Sequence, residues 1–306
     1  MKKNFYLLLL LAAAMGCKDR AKQQSMESAP KAQDTVVVEQ EAHQDLYGNW
    51  VGDFLVDEES LGDEEYLPST DYSPKINLTI KKITDKGNVF GQNVVKGNLR
   101  PLTGKVEGED NSIQLLLDEP GDKKSDGRFE IKRKGDTLIG NWVAYDQQVK
   151  IKKRHFKLLK KQFAYNPNLM LNKQDDEYGT LVDWINAKRE EATDQDGDST
   201  YTYVMEYYRS ASPAVFSINA SKQKLTEKDV KNLKKLDLEI IRNTIFARHG
   251  YAFTKPSIRQ FFDPVDWYVP VSKDVSGALS QLEKDNIALL TRFEKYATDN
   301  YDTFGR

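Results

Sequence analysis

Between Gly48 and Leu158 apolar and polar residues alternate in short runs separated by turn formers, the pattern of consecutive half-buried strands. Ile76, Leu78 and Ile80 fall on one face of such a run, Asn77 and Thr79 on the other. Further runs lie at Trp50 to Val56, Val89 to Val95, Leu99 to Val106, Ile113 to Leu117, Arg128 to Arg133, Thr137 to Tyr145 and Val149 to Phe156. The breaks are Asp85-Lys86-Gly87-Asn88, Lys96-Gly97-Asn98, Gly108-Glu109-Asp110-Asn111, Asp126-Gly127 and Gly135-Asp136, all of them tight-turn residues. About eight antiparallel strands in sequence order predict an up-and-down β-barrel or a sandwich, folds that limit exposed edges.

Helical spacing takes over further along the chain. Thr180 and Asp183 have the spacing of a capping box, and Leu181, Trp184 and Ile185 would give a following helix an apolar face. Leu225-Thr226-Glu227-Lys228-Asp229-Val230 is a second helix start, with Thr226 as cap, Asp229 answering it, and Leu225 able to reach Val230. A longer helix is predicted from near Asp237 to His249, ended by Gly250 in the left-handed conformation, with Tyr251 folding back onto Phe246. Leu238, Ile241, Ile245 and Phe246 form its apolar stripe. Arg242 and His249 project into that stripe, where a charge needs a partner. The last helix carries Asn286, Leu289, Leu290 and Phe293 on one face with Glu294 beside them, so Arg242 is expected to be buried against Glu294. The fold class is therefore multidomain α+β.

Charge narrows the functional classes. Lys and Arg total 45 against 47 Asp and Glu, so no global field favours nucleic acid, and none is expected as a partner. The acidic run Asp57, Glu58, Glu59, Asp63, Glu64 and Glu65 reads as a solvated loop. Asp194-Gln195-Asp196-Gly197-Asp198 lacks the later Glu that a calcium loop requires and reads as a turn. Tyr201, Tyr203, Tyr207 and Tyr208 are assigned to packing. His249 is the only histidine after His155, which leaves no zinc pair there, and no nucleophile elbow is present. No metal, cofactor or catalytic residue is assigned.

The single cysteine, Cys17, follows a positive start at Lys2 and Lys3, an apolar stretch from Phe5 to Ala14, and small residues at Ala14-Met15-Gly16. The stretch is short of the ~20 residues that cross a bilayer but fits a secretory signal. It resembles the lipobox of bacterial lipoproteins, with Ala14 where that pattern prefers Leu. The resemblance implies cleavage before Cys17 and a lipid on its thiol, which makes the membrane a partner. Lys18 to about Ala42 then reads as a disordered tether. Lys18-Asp19 lacks the Asp that holds enterobacterial lipoproteins at the inner membrane, and is similar to the Lys-acid export signal of Bacteroidota. The outer membrane is the expected location, periplasmic or surface-facing.

Two further resemblances bear on the folded body. Gly48-Asn49-Trp50, repeated as Gly140-Asn141-Trp142, is similar to the Gly-x-Trp opening of lipocalin-like barrels, whose tryptophan plugs one end. Arg242-Asn243, Phe246-Ala247-Arg248-His249-Gly250-Tyr251, Phe253, Phe262 and Trp267-Tyr268 together resemble the YARHG domain of bacterial envelope proteins. Phe246 replaces the first Tyr of the naming motif, and Asn286 and Glu294 match positions where that domain carries Asn and Glu. The resemblance covers roughly residues 219 to 297 and implies a small, mainly helical extracytoplasmic module without a known activity.

The resulting organisation is a signal peptide at 1–16, a lipidated tether at 17–46, a barrel-like domain at 47–159, a connector at 160–218 and a YARHG-like domain at 219–300. Arg242, Asn243, Arg248, His249, Trp267, Tyr268, Asn286 and Glu294 are the candidate polar cluster, structural or ligand-binding. The expected function is non-enzymatic binding of a partner protein, a cell-wall glycan or a small ligand. The alternatives are a hydrolase of envelope polymers using Asp or Glu with His249, and a carrier of an apolar ligand inside the barrel.

Overall fold

A computed structural model describes residues 40–61, 69–173 and 181–303. Cys17, the tether through residue 39, Asp63 to Glu65 and the Thr180 cap lie outside the described residues. The N-terminal region contains β1 (Gly48–Val56), α1 (Ser69–Tyr72), β2 (Lys75–Ile83), β3 (Asn88–Val95), β4 (Asn98–Glu107), β5 (Gln114–Asp118), β6 (Gly127–Lys134), β7 (Thr137–Ala144) and β8 (Lys153–Lys161). Each strand pairs antiparallel with the next, and β1 closes on β8 with Phe54 opposite Phe156. The result is an eight-stranded up-and-down barrel. β1 having a partner on each side sets the sandwich aside.

The alternation seen in the sequence sorts side chains between interior and exterior. Leu115 and Leu117 point inward and are buried while Leu116 between them is exposed, and Phe129 and Ile131 alternate with Arg128 and Glu130 in the same way. Trp50 closes one end, its indole N–H donating to Leu46 O at 2.8 Å. Trp142 stands toward the other end: their partners on β8 are Lys160 and Arg154, near opposite termini of that strand. The strand expected from Val149 begins only at Lys153. Residues 146–152 form a turn first, in which Asp146 Oδ1 accepts from Gln148 N at 2.8 Å.

β2 departs from the half-buried reading, because both of its faces are covered. Asn77, on the outer face, is fully buried and donates to Pro270 O at 2.8 Å and to Asn49 Oδ1 at 3.1 Å. Lys75 beside it donates to Val265 O at 2.5 Å and Tyr268 O at 3.3 Å. The C-terminal helical region is what covers them. At the β3–β4 hairpin Lys96 and Gly97 take φ of 51° and 72°, the two-residue turn with both φ positive that matches strand twist. A Cβ on Gly97 would stand 2.5 Å from Phe253 O, so this turn is also a point of backbone contact with the helical region.

After the barrel come β9 (Lys188–Asp196) and β10 (Ser199–Arg209), then α2 (Glu227–Val230), α3 (Lys235–Arg248), α4 (Pro256–Phe262), α5 (Gln281–Glu294) and β11 (Tyr301–Asp302), which pairs with β10. The helix expected at Leu181 to Ile185 is absent. Asp183 Oδ1 instead accepts from Ile185 N and Asn186 N, a side-chain turn that competes with helix, and Val182 bridges Ser210. The Asp194 to Asp198 run ends β9 and supplies the β9–β10 hairpin turn at Gly197-Asp198. Tyr201, at 49% exposure, does not pack into a core, since this hairpin stands largely in solvent.

The Thr226–Asp229 box forms, with Thr226 N donating to Asp229 Oδ2 at 2.7 Å, but it starts a helix of a single turn. α3 ends as expected: Gly250 has φ 71°, Tyr251 N donates to Phe246 O at 3.0 Å, and the two rings lie 5.9 Å apart. Leu238, Ile241 and Ile245 join Phe262, Tyr268 and Leu290 in a second core.

Candidate functional site

The predicted polar cluster divides into separate groups when placed in space. Arg242 and Glu294 form a side-on pair, Nε to Oε2 at 2.9 Å and Nη2 to Oε1 at 3.3 Å. Their side chains are 22% and 20% exposed, so the pair is half-buried rather than buried as expected. Arg242 leaves the centre of the stripe to lie along a groove of about 320 Å³ that it shares with Asn243, Phe246, Tyr251, Lys255 and Ile258.

Arg248, His249 and Trp267 hold the segment that leaves the barrel. Buried Arg248 donates to Leu169 O at 2.7 Å and Ser221 Oγ at 2.9 Å, and burial pushes its guanidinium down to about 10. Trp267 Nε1 donates to Met170 O at 2.9 Å. Tyr165 stacks on the His249 ring at 4.2 Å, and its hydroxyl donates a hydrogen bond to Glu283 Oε1 at 3.0 Å. Glu283 also meets His249 Nε2, at 3.0 Å. Asn286 holds a different loop, donating to Ala220 O and Gln223 O and accepting from Leu225 N. Tyr268 lies in the core beneath Lys75, its hydroxyl donating to Tyr251 O at 2.7 Å, and burial pushes its pKa well up.

Glu283 was not among the candidates, although its Ser280-x-x-Glu spacing is a capping box that forms here. Arg209 was also missed. It meets Asp183 at 2.8 Å, Glu239 at 2.9 Å and Asp299 at 3.2 Å, tying β10 to α3 and the chain after α5.

A larger concavity opens at the Trp142 end of the barrel, with a volume of about 540 Å³. Its floor is aromatic. The Phe54 ring lies 5.9 Å from those of Phe129 and Trp142. On β8 the inward positions run Arg154, Phe156, Leu158, so a guanidinium occupies a place in the barrel interior that its neighbours fill with apolar side chains. This signal is legible as alternation in the sequence, once the inward face is known. Arg154 lies 5.1 Å over the Phe54 ring, and burial pushes it down to about 10.

Two acids share the cavity, and both are engaged by their own surroundings. Glu119 accepts from Asn93 Nδ2 at 2.8 Å, Gly127 N at 2.8 Å and Trp142 Nε1 at 3.0 Å, while burial raises its carboxyl above the usual range. Asp126 accepts from Arg100 at 2.5 Å and from Gly121 N and Lys123 N. The edge carries Lys96, Arg100, Lys123, Lys150 and Lys273. Lys273 comes from the helical region, so the two parts of the chain meet at this opening.

Residues 214–295 match the YARHG domain, so the chain carries that domain over α2 to α5. No curated protein and no solved structure matches the chain.

Proposed function

We propose that this chain is a non-enzymatic binding protein of the cell envelope, anchored by a lipid on Cys17, that takes a small ligand at the open mouth of its barrel. The observation that carries the reading is the cavity of about 540 Å³, apolar at its floor and polar at its edge, to which the YARHG domain contributes Lys273. Mostly apolar walls with a few placed polar groups are what small-ligand sites have. The outer membrane is the proposed location, on the strength of the residues around Cys17. Among the described residues no helix is long and apolar enough to cross a membrane, and the several acyl chains of a lipidated cysteine together hold a protein firmly.

The two alternatives are less well supported. A hydrolase of envelope polymers needs a carboxylate free to act. His249 is buried against Glu283, which caps α5, Glu119 accepts from Asn93, Gly127 and Trp142 on three strands, and Asp126 accepts from Arg100 and from N–H groups of its own loop. A carrier of a wholly apolar ligand needs an empty apolar interior, whereas Leu78, Leu102, Leu115, Ile131 and Leu158 fill the barrel below the mouth.

Two measurements test the proposal. Cys17→Ser abolishes labelling by a palmitate analogue; a labelled mutant overturns the anchor. Small-molecule binding changes Trp142 fluorescence in the full chain, and a Trp142→Phe variant loses that change. A signal unaffected by the substitution moves the ligand away from the barrel mouth.

A further inference from the structure

We infer that the barrel mouth selects an organic anion with an apolar body, a carboxylate carried on an aromatic ring or alkyl chain, with Arg154 as its counter-charge; this rests on the binding reading above. The argument begins with what surrounds Arg154. Its Nη1 donates to Phe54 O at 2.5 Å and Tyr72 O at 3.3 Å, and its Nη2 to Asp71 O at 2.8 Å. These carbonyls satisfy donors but do not neutralise a charge, and a buried charge without a counter-ion is costly. Among the described residues no carboxylate lies within ion-pair distance of it. The acid whose charge reaches it, Asp71, already pairs with Lys96 at 2.5 Å and lies 3.7 Å from Arg259. Arg259 has a nearer acid of its own, Asp263 at 3.2 Å, so Asp71 alone stands between the two cations Lys96 and Arg154.

The excess extends over the opening. Six Lys and Arg side chains line the cavity against Glu119 and Asp126, and of the six Lys96 and Arg100 also pair with Asp71 and Asp122 beside it. Those two acids are engaged by Asn93, Trp142, Arg100 and backbone N–H groups. Lys123 and Lys273, both exposed at the edge, have no ion-pair partner among the described residues. An anion entering here meets a net positive field inside a partly desolvated wall, where Coulomb attraction is stronger than in water.

The floor sets the rest of the ligand. Arg154 lies 5.1 Å over Phe54, whose ring contacts those of Phe129 and Trp142, so the charge and the aromatic surface are adjacent. A bare inorganic anion would leave that surface in water, and a neutral hydrocarbon would leave Arg154 uncompensated. A carboxylate with an apolar body satisfies both. With three of its five N–H groups on carbonyls, Arg154 keeps Nε–H and one Nη2–H, a side-on pair that can take a carboxylate through two parallel bonds.

The test is calorimetry with Trp142 fluorescence on the full chain carrying Cys17→Ser. The probes are 1-naphthoate, dodecanoate, 1-naphthalenemethanol, 1-naphthylmethylamine and inorganic phosphate. One or both carboxylates bind at least ~10-fold more tightly than the neutral alcohol, a difference of about 1.4 kcal/mol, and the amine binds more weakly still. Preference for dodecanoate indicates a lipid-derived chain, and preference for naphthoate a soluble aromatic acid. Lys123→Glu with Lys273→Glu, both at exposed positions, cuts the preference for acid over alcohol at least ~5-fold. Arg154→Gln removes the preference for the acid. If that variant does not fold, the edge pair alone decides. Equal binding of acid and alcohol, or phosphate as tight as naphthoate, overturns the anion class and leaves a binding mouth standing; no binding by any probe overturns both.

Discussion

His249 Nε2 meets the Glu283 carboxylate where the end of one helix faces the start of another. The carboxylate that takes His249 Nε2 at 3.0 Å also accepts the Ser280 N–H at 2.9 Å, capping α5. The end of α3 and the start of α5 are therefore fastened by one side chain, over which the Tyr165 ring is stacked on His249.

Glu283→Gln should cost ~1–3 kcal/mol at neutral pH, because it strands donors that a carboxylate had satisfied. The substitution should also change the acid limb. Burial raises the Glu283 carboxyl, but hydrogen bonds from Ser280, Ser221, His249 and Tyr165 outweigh it and hold the pKa below the ordinary glutamate value. A depressed folded pKa contributes stability fully above the unfolded value and loses it as pH falls through the folded one. Chemical denaturation between about pH 5.5 and 3.5 should show a shallower decline for Glu283→Gln than for the native chain. Parallel declines would remove Glu283 from the acid response.

Arg242→Ala should cost about 1 kcal/mol or less, the range of a partly exposed ion pair, rather than the ~3–5 kcal/mol of a buried one. The reason is the residual exposure of both side chains, 22% and 20%. Thermal unfolding checks it. A fall of more than ~8 °C, which for a chain of this size exceeds ~2 kcal/mol, would restore the buried-pair account.

Gly97→Ala should destabilise by ~1–3 kcal/mol. Its φ of 72° disfavours a side chain, and the new methyl carbon would meet Phe253 O at 2.5 Å. The effect reaches past the hairpin, because Phe253 belongs to the YARHG domain. Hydrogen exchange should quicken around Phe253 as well as in β3 and β4; acceleration confined to the strands would mean that the contact carries no load.

Lys75→Met should flatten the alkaline dependence of stability. Burial, followed by the charge of Lys161, pushes the Lys75 ammonium down to about 8. The folded state then binds fewer protons than the unfolded one between about pH 8 and the ordinary lysine value of 10.5, so this group makes stability rise with pH across that window. The native chain should gain up to about 3 kcal/mol relative to Lys75→Met over the same interval. Identical curves would show that Lys75 titrates normally.

Local pattern alone determined a good deal. Period-2 alternation with Gly, Asp and Asn breaks specified the strands, because a strand that buries one face in a barrel must alternate. The Thr226–Asp229 box and the Gly250 stop were legible because caps are satisfied within a few residues. The aromatic and Arg-His sequence around Phe246 to Tyr251, with Trp267, identified the YARHG domain. Failure came where a distant partner decided the outcome. Asp183 reads as the partner of a Thr180 helix cap, but Arg209 and the β10 backbone draw it into a turn. Asn77 reads as solvent-facing, but Pro270 covers it from nearly two hundred residues away. Arg242 and Glu294 were paired correctly from helix faces, yet their exposure depended on a groove wall that Lys255 and Ile258 supply. The barrel mouth was invisible for the same reason: Arg154, Glu119 and Lys273 come from β8, the β5–β6 connection and the YARHG domain. Only closure of the barrel and docking of the helices bring their charges within reach of one aromatic floor.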